Sequence, residues 1–336
     1  MNWSRHAAEA IACLMAGLAL AEVPPDMASQ LKDLGRVVNP AATAKIYRPL
    51  QPKAPYPGVK VARDVSFGPD PKNVVDVFSP EKGRGGRPVL IYVAGGAGNK
   101  IEQVPDGDAF YDNIMLWAVK NGMTGVNVQR RGGQGLAWDD PAKDIGAVVQ
   151  WVRKNVAKTY KGNPNRIFIW AHSAGNTPVA TYISHPELYG PKGVGLKGAI
   201  LMSGNFNILP VTVTALPGQG GPGGPPGRGD GKGGDGKGGG RGRGGPPPLD
   251  PATQLARSNL PGLLKVNMAF FLGAAELDPA NMVAFADTVK EQLCKEGRCP
   301  TEAVFKAHSH MSEVFSPNTS DDSVTGPILK WMKAVK

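Results

Sequence analysis

The sequence predicts an α/β protein with one mostly parallel sheet of about eight strands and helices on both faces. Several segments, such as 88–93 and 167–171, are apolar throughout, as expected for strands that are buried on both sides. Segments with helical spacing of apolar residues alternate with these strands. The chain has 336 residues, 41% of them hydrophobic, so it can bury a large core.

The first half of the chain begins with two short strands. ARDVSFG at 62–68 and NVVDVFSP at 73–80 flank a Pro/Asp/Asn turn, which predicts an antiparallel hairpin at one edge of the sheet. The third strand, PVLIYVAGG at 88–96, is apolar and ends in glycines. A helix over 108–121 and a strand over 123–130 follow.

The second half repeats this alternation. Residues 139–156 begin with Asp and Pro and then place apolar residues at Ile145, Val148, Val149 and Val152, which predicts an amphipathic helix. A helix is also expected directly after Ser173. The further strands are predicted at 166–171, 197–205, 266–275 and 302–307, and the further helices at 280–293 and 326–335.

The N-terminal residues resemble a secretory signal peptide. Arg5 precedes twelve apolar or small residues, Ala10 to Ala21, which end in a small-x-small cleavage site. We therefore expect a signal peptide at 1–21, cleavage near Ala21, a periplasmic or extracellular protein, and no stable membrane insertion after cleavage. An N-terminal extension over 22–60 would precede the main domain, 61–336.

A Gly/Pro-rich insert at 217–249 interrupts that domain. It contains almost nothing apolar, so it should be a disordered, solvated loop. Its five basic and two acidic side chains contribute +3 to the formal net charge of +10. The insert has no aromatic residue on which a base could stack, and we expect no nucleic-acid partner.

Two cysteines remain after the predicted cleavage, Cys294 and Cys299 in CKEGRC. They are close enough in sequence to close a small loop, and an exported protein meets an oxidising compartment. We expect a disulfide between them.

Ser173 lies in AHSAG, where a strand meets a helix. The motif differs from the nucleophile pattern G-x-S-x-G only by Ala171 in place of the first glycine. Taken alone, such a serine could simply cap a helix. Its place at the carboxyl end of a parallel strand favours a nucleophile, because that edge carries the reacting groups in open α/β sheets.

A nucleophilic serine requires a base and a group that orients the base. His172 is adjacent to Ser173 and should point elsewhere, while His185 lies at the far end of the next helix. The segment AHSHMSE, just after the last strand, offers His308 and His310. The preceding strand is followed by two candidate acids, Glu276 and Asp278.

Backbone amides must also stabilise the oxyanion of a tetrahedral intermediate. Ala174 follows the nucleophile, and the small residues Ala94 to Gly98 follow the strand at 88–93. We expect the amides of Gly96, Ala97 and Ala174 to form this site. No third ligand with suitable spacing accompanies the two late histidines, so neither a metal nor another cofactor is predicted.

From about Val61 onward the chain resembles the α/β-hydrolase carboxylesterases, particularly the lipase-type and feruloyl-esterase-like branch with an HGGG oxyanion loop. The resemblance is carried by VVDVFSP, PVLIYVAGGAG, FYDNIMLWAVKNGMTGVNVQRR, the run from DDPAKD to AHSAG, AAELDP and AHSHMS. It implies that Ser173 is the nucleophile, Asp278 the acid and His310 the base, in the chain order of this fold.

The chain departs from that family at the oxyanion loop. AGGA replaces HGGG, so Ala94 stands where the family has a histidine and Ala97 where it has the third glycine. The resemblance implies a serine carboxylesterase that forms an acyl-enzyme with a small-molecule ester. Two alternatives stay open: amide or peptide hydrolysis by the same triad, and a catalytically weak binding protein on a hydrolase fold.

Overall fold

The computed structural model describes residues 22–105, 107–208 and 249–336. Its eight strands form one sheet in the order β1-β2-β4-β3-β5-β6-β7-β8. The first strand pairs antiparallel with the second, and the second pairs antiparallel with the fourth; the other neighbours are parallel. The predicted fold class, an eight-stranded, mostly parallel α/β-hydrolase sheet with an antiparallel edge, is therefore confirmed.

Each strand of the structure overlaps a predicted strand. The strands are β1 Val59–Ser66, β2 Val74–Pro80, β3 Arg87–Val93, β4 Thr124–Val128, β5 Gly162–His172, β6 Gly198–Met202, β7 Ala269–Leu277 and β8 Thr301–Ser309. The fifth strand begins four residues before the predicted bound of 166, since the polar segment Gly162–Asn165 continues the same extended backbone.

Ten α-helices lie within the described residues. They are α1 Pro25–Leu34, α2 Pro40–Tyr47, α3 Asp112–Lys120, α4 Asp140–Tyr160, α5 Asn176–Ser184, α6 Pro251–Arg257, α7 Leu260–Leu263, α8 Ala280–Lys295, α9 Ser312–Phe315 and α10 Thr325–Ala334. Among the described residues, no helix is both long and apolar enough to cross a membrane.

Both faces of the sheet are covered, as the apolar strands predict. Successive residues of β3 alternate between two cores: Ile91 packs with residues of α4, α5 and α8, whereas Leu90 packs with residues of α3 and α10. Ile169 and Trp170 of β5 divide in the same way. Packing on both faces fixes the sheet, and the loops that follow the parallel strands start from its carboxyl edge.

Residues 22–60, which were predicted as an N-terminal extension, include two helices that pack on the main domain. Leu31 of α1 and Tyr47 of α2 are completely buried, and both belong to the core on the α3 side of the sheet. These two helices therefore bury apolar surface of the main domain. The predicted signal peptide, 1–21, and the predicted insert, 217–249, lie outside the described residues apart from Leu249.

The predicted cysteine pair is bonded in the structure. Cys294, at the end of α8, forms a disulfide with Cys299 across the turn that leads into β8. This link closes a loop of a few residues, so it fixes the turn locally.

Candidate active site

Ser173 occupies a tight turn between β5 and α5. Its φ angle is +55°, in the left-handed region that side-chain-bearing residues rarely adopt. The turn fits here because its neighbours are glycines: a Cβ on Gly175 would lie 2.5 Å from the Val93 carbonyl oxygen, and one on Gly95 would lie 2.6 Å from Ser173 Cβ. The strand-to-helix turn thus has the strained geometry of a nucleophile elbow.

His310 and Asp278 lie in direct contact beyond the ends of β8 and β7. His310 Nδ1 lies 2.8 Å from Asp278 Oδ1, and both residues are fully buried. The other carboxylate oxygen of Asp278 accepts a bond from the Ala275 amide at 2.9 Å and a short one from the Ser203 hydroxyl. The acid is therefore fixed from two sides and can hold the imidazole by Nδ1.

The second imidazole nitrogen of His310 is not engaged. Nε2 is buried and has no hydrogen-bond partner among the described residues, so a bond to Ser173 Oγ is not formed in this structure. Catalytic hydrogen bonds often tighten only when substrate binds. With Nδ1 held by Asp278, Nε2 is the nitrogen that remains to accept a proton.

The structure places His308 differently. Its Nδ1 lies 2.9 Å from Ser312 Oγ, and its Nε2 lies 2.8 Å from Ser323 Oγ and 3.3 Å from Asp321. Both ring nitrogens thus have partners: that of Nδ1 lies on α9, and those of Nε2 lie in the loop leading into α10. His308 stabilises that loop and has no nitrogen available for Ser173.

The other candidate acid and base have partners elsewhere. Glu276 accepts a bond from the Ala307 amide at 2.8 Å and pairs with Lys306, at the exposed edge of the sheet. His185 lies at the end of α5, where its Nε2 is 3.1 Å from the Ala256 carbonyl oxygen. The structure therefore brings together Asp278 and His310, and not Glu276 and His308.

The predicted oxyanion residues lie on both sides of the elbow. Gly96, Ala97 and Ala174 are exposed, and a turn closed by a 3.0 Å bond from the Gly98 amide to the Gly95 carbonyl shapes the loop after β3. No backbone carbonyl of the described residues accepts a bond from the amides of Gly96 or Ala97. Ala174 lies in the first turn of a helical segment, where amides lack partners within the helix.

Arg130, which the sequence did not single out, lies against this loop. It follows β4 and is 4% exposed. Its backbone amide donates a 3.0 Å bond to the Gly98 carbonyl, and one guanidinium nitrogen lies 3.4 Å from the Ala94 carbonyl oxygen. Burial lowers the pKa of Arg130 to about 10, so it is charged at neutral pH. A buried cation thus contacts the loop in which Ala94 replaces the family's histidine.

Glu313 is a second residue that sequence reasoning missed. It lies on α9, is fully buried, and places Oε1 3.0 Å from His172 Nε2. His172, His310 and Glu313 each offer an atom that could bind a metal, within 4.8 Å of one another. His172 Nε2, however, lies 3.0 Å from the His310 carbonyl oxygen and is engaged in that hydrogen bond. The segment MSEVF after His310 mixes polar and apolar residues, and it gave no signal that Glu313 is buried.

Comparisons with known proteins agree with this architecture. Residues 75–181, which include the predicted oxyanion loop and Ser173, match the family model BD-FAE. The rabbit (Oryctolagus cuniculus) protein "Cocaine esterase" is 25% identical over 146 residues, which are 42% of this chain and 26% of that protein. "Fumonisin B1 esterase" from Sphingopyxis macrogoltabida is 25% identical over 123 residues, or 33% of this chain and 23% of that protein.

The matched region thus spans about a quarter of the length of these curated relatives. Among solved structures, esterase B from Lactobacillus rhamnosis superimposes with a TM-score of 0.61 at 12% identity, over 92% of this chain and 95% of that one. At such identity the superposition shows a common fold. It covers nearly the whole of a protein of comparable length.

Proposed function

We propose that this chain, an α/β-hydrolase-fold relative of the BD-FAE esterases, is a serine carboxylesterase that acts on small-molecule esters. The observation that carries the proposal is the His310–Asp278 pair at the same sheet edge as the strained Ser173 turn. A serine that is only a helix cap needs neither a left-handed φ angle nor a glycine loop packed against its Cβ. These features are what a nucleophile requires.

In the first half of the reaction, Ser173 Oγ attacks the ester carbonyl carbon and His310 Nε2 takes the hydroxyl proton. The amides of Gly96, Ala97 and Ala174 donate to the negative oxygen that forms, and Asp278 stabilises the imidazolium through Nδ1. Collapse of the tetrahedral intermediate breaks the bond to the alcohol, which leaves with the proton from His310. The product of this half is an acyl-Ser173 ester.

In the second half, His310 removes a proton from water and the resulting hydroxide attacks the acyl carbonyl. The same amides stabilise the second oxyanion, and the proton returns to Ser173 Oγ as the carboxylic acid leaves. Every proton is accounted for by His310 and water.

Hydrolysis of p-nitrophenyl acetate and butyrate tests the proposal, with Ser173→Ala as the matched control. The wild type should release p-nitrophenol, and the variant should lose a factor on the order of 10⁴ or more in kcat. Unchanged turnover in Ser173→Ala would refute the assignment.

The two alternatives predict other results in the same assay. Faster cleavage of matched p-nitroanilides than of the esters would favour an amidase. A folded wild type that cleaves neither substrate would favour a binding protein.

We also infer that the protein acts in the periplasm or outside the cell. The predicted signal peptide and the Cys294–Cys299 disulfide support this location, because disulfides persist in oxidising compartments. Fractionation of cells that express the full chain, with N-terminal sequencing of the product, tests it. A product that keeps Met1 in the cytoplasm would overturn the inference.

A further inference from the structure

The second carboxyl group near the triad has no cation to neutralise it. Both oxygens of Glu313 are buried and lack a well-aligned hydrogen-bond partner among the described residues. Oε1 is 3.0 Å from His172 Nε2, but that N–H is directed at the His310 carbonyl. A buried, ionised carboxylate without a paired cation is very unfavourable. The groups around Glu313 therefore decide whether its carboxyl group is ionised or protonated.

The titratable groups that face Glu313 come from several strands. They are His172 at the end of β5, His310 after β8, Asp278 after β7 and Tyr92 on β3. None of these is a lysine or arginine, and one is the negatively charged acid of the triad. Two carboxylates in one dry site cannot both ionise at low cost, so one of them retains a proton.

The two carboxyls have different partners. Asp278 is stabilised as an anion by the Ala275 amide, the Ser203 hydroxyl and the His310 ring. Among the described residues Glu313 has no such set of donors, since the nearby Ser203 hydroxyl is directed at Asp278. Burial together with the charge of Asp278 raises the pKa of Glu313 well above its usual range. The proton therefore belongs on Glu313.

His172 connects Glu313 to the base. A carbonyl oxygen only accepts, so the 3.0 Å contact with the His310 carbonyl fixes the proton of His172 on Nε2. Burial lowers the pKa of His172 to about 4, which keeps this ring neutral in the working range of the enzyme. The two imidazole rings lie 4.5 Å apart between centroids. Thus His172 holds the backbone of His310 and is itself flanked by Glu313.

We propose that Glu313 is a neutral carboxylic acid in the folded enzyme and acts with His172 as a pair of positioning residues for the base His310. Glu313 packs against His172, and His172 fixes the His310 backbone by the bond to its carbonyl. Because Glu313 carries no charge, Asp278 is the one anion among these groups that faces the His310 ring. The catalytic part of this inference rests on the proposed function.

Infrared difference spectroscopy tests the protonation without any turnover. At about pH 8, where exposed carboxyls are ionised, wild type minus Glu313→Gln should show the C=O stretching band of a protonated acid. Glu291→Gln removes an exposed carboxyl paired with Lys295 and is the control that should show no such band. Absence of the band in the Glu313→Gln difference would overturn the proposal.

Thermal unfolding as a function of pH gives a second, independent measurement. The folded chain holds the Glu313 proton to a higher pH than the unfolded chain, so this group's contribution to stability is present at acid pH and is lost as pH rises above about 4.3. Glutamine does not titrate. The Tm of Glu313→Gln relative to wild type should therefore rise with pH, and a difference that falls with pH would show that Glu313 is ionised.

Kinetics test the positioning role. His172→Phe removes the N–H donor and should lower kcat roughly 10- to 100-fold with KM nearly unchanged, because the base is misplaced. His172→Gln restores a donor and should recover part of that loss. Glu313→Gln should keep kcat and the acid limb of the pH profile, whereas Glu313→Leu should lower kcat.

The kinetic results that contradict the proposal are equally specific. An acid limb that moves to lower pH in Glu313→Gln would show that the wild type carries a negative charge beside His310. Equal kcat in wild type and His172→Phe would remove the positioning role. If the infrared band is present and the wild type hydrolyses no ester, the protonation stands and the proposed function fails.

Discussion

At the scale of single residues, the two histidines of AHSHMSE differ in their partners, and this difference separates the proposed base from a structural residue. Spacing in the sequence could not choose between His308 and His310, because both follow the last strand. The choice depends on partners that come from distant segments: Asp278 for His310, and Ser323 with Asp321 for His308. Only the resemblance to known esterases favoured His310 beforehand, and its catalytic role stays a prediction.

Alanine substitution at the two histidines should have different effects. His310→Ala removes the proposed base and should lower kcat by a factor on the order of 10⁴ to 10⁶. His308→Ala removes two buried hydrogen bonds and should lower the free energy of unfolding by about 1–3 kcal/mol while kcat changes little. Ester hydrolysis and urea unfolding of both variants measure this. A large kcat loss confined to His308→Ala would reverse the assignment.

Buried polar residues were the main failure of sequence reasoning. Arg130 and Glu313 have side chains that are usually exposed, and a linear pattern marks them as surface residues. In the structure each is buried beside the candidate site because parallel strands bring distant loops to one edge. The burial of a charged side chain depends on this three-dimensional assembly, so local spacing does not contain it.

At the scale of elements, the loop after β3, which we propose as the oxyanion loop, packs directly against Arg130. Gly98 lies so close to Arg130 that a Cβ would meet its Cγ at 2.6 Å, and the other end of the loop meets Ser173 at Gly95. The loop thus lies between a buried guanidinium and Ser173, the proposed nucleophile. A fixed position for its amides is what stabilisation of a developing oxyanion requires.

Arg130 should therefore matter more for the chemical step than for substrate binding. Arg130→Met, of similar size but uncharged, should lower kcat roughly 10- to 100-fold, with a smaller change in KM. Arg130→Lys keeps a charge but has no planar fork, so an intermediate kcat is expected. Steady-state kinetics on p-nitrophenyl butyrate, with melting curves to verify folding, provide the measurement. A wild-type kcat in Arg130→Met would contradict this role.

Strands were more predictable than short helices. Each of the eight strands overlaps a predicted one, the first two through their hairpin turn and most of the others through apolar runs. The spacing in 139–156 identified α4, because burial of one face leaves a periodic pattern. Helices α1, α2, α6, α7 and α9 were not predicted. The last three have seven, four and four residues, too few to show a period. Their presence depends on packing against the rest of the domain.

At the scale of the whole molecule, one sheet edge collects every group of the candidate site. The oxyanion loop follows β3, Arg130 follows β4, Ser173 follows β5, and Asp278 and His310 follow β7 and β8. The order of strands was not evident from the sequence, but the parallel pattern sufficed to place these residues together. Substrate choice was not predictable, since it depends on loops around the site and on no single motif.

Covalent labelling with a fluorophosphonate tests the central claim, that Ser173 is an activated nucleophile, most directly. Intact-mass and peptide analysis of the wild type should show one adduct, on the peptide that contains Ser173, and Ser173→Ala should remain unlabelled. His310→Ala should label far more slowly, because the serine would lack its base. A folded wild type that stays unlabelled, or that carries the adduct on another serine, would contradict the claim.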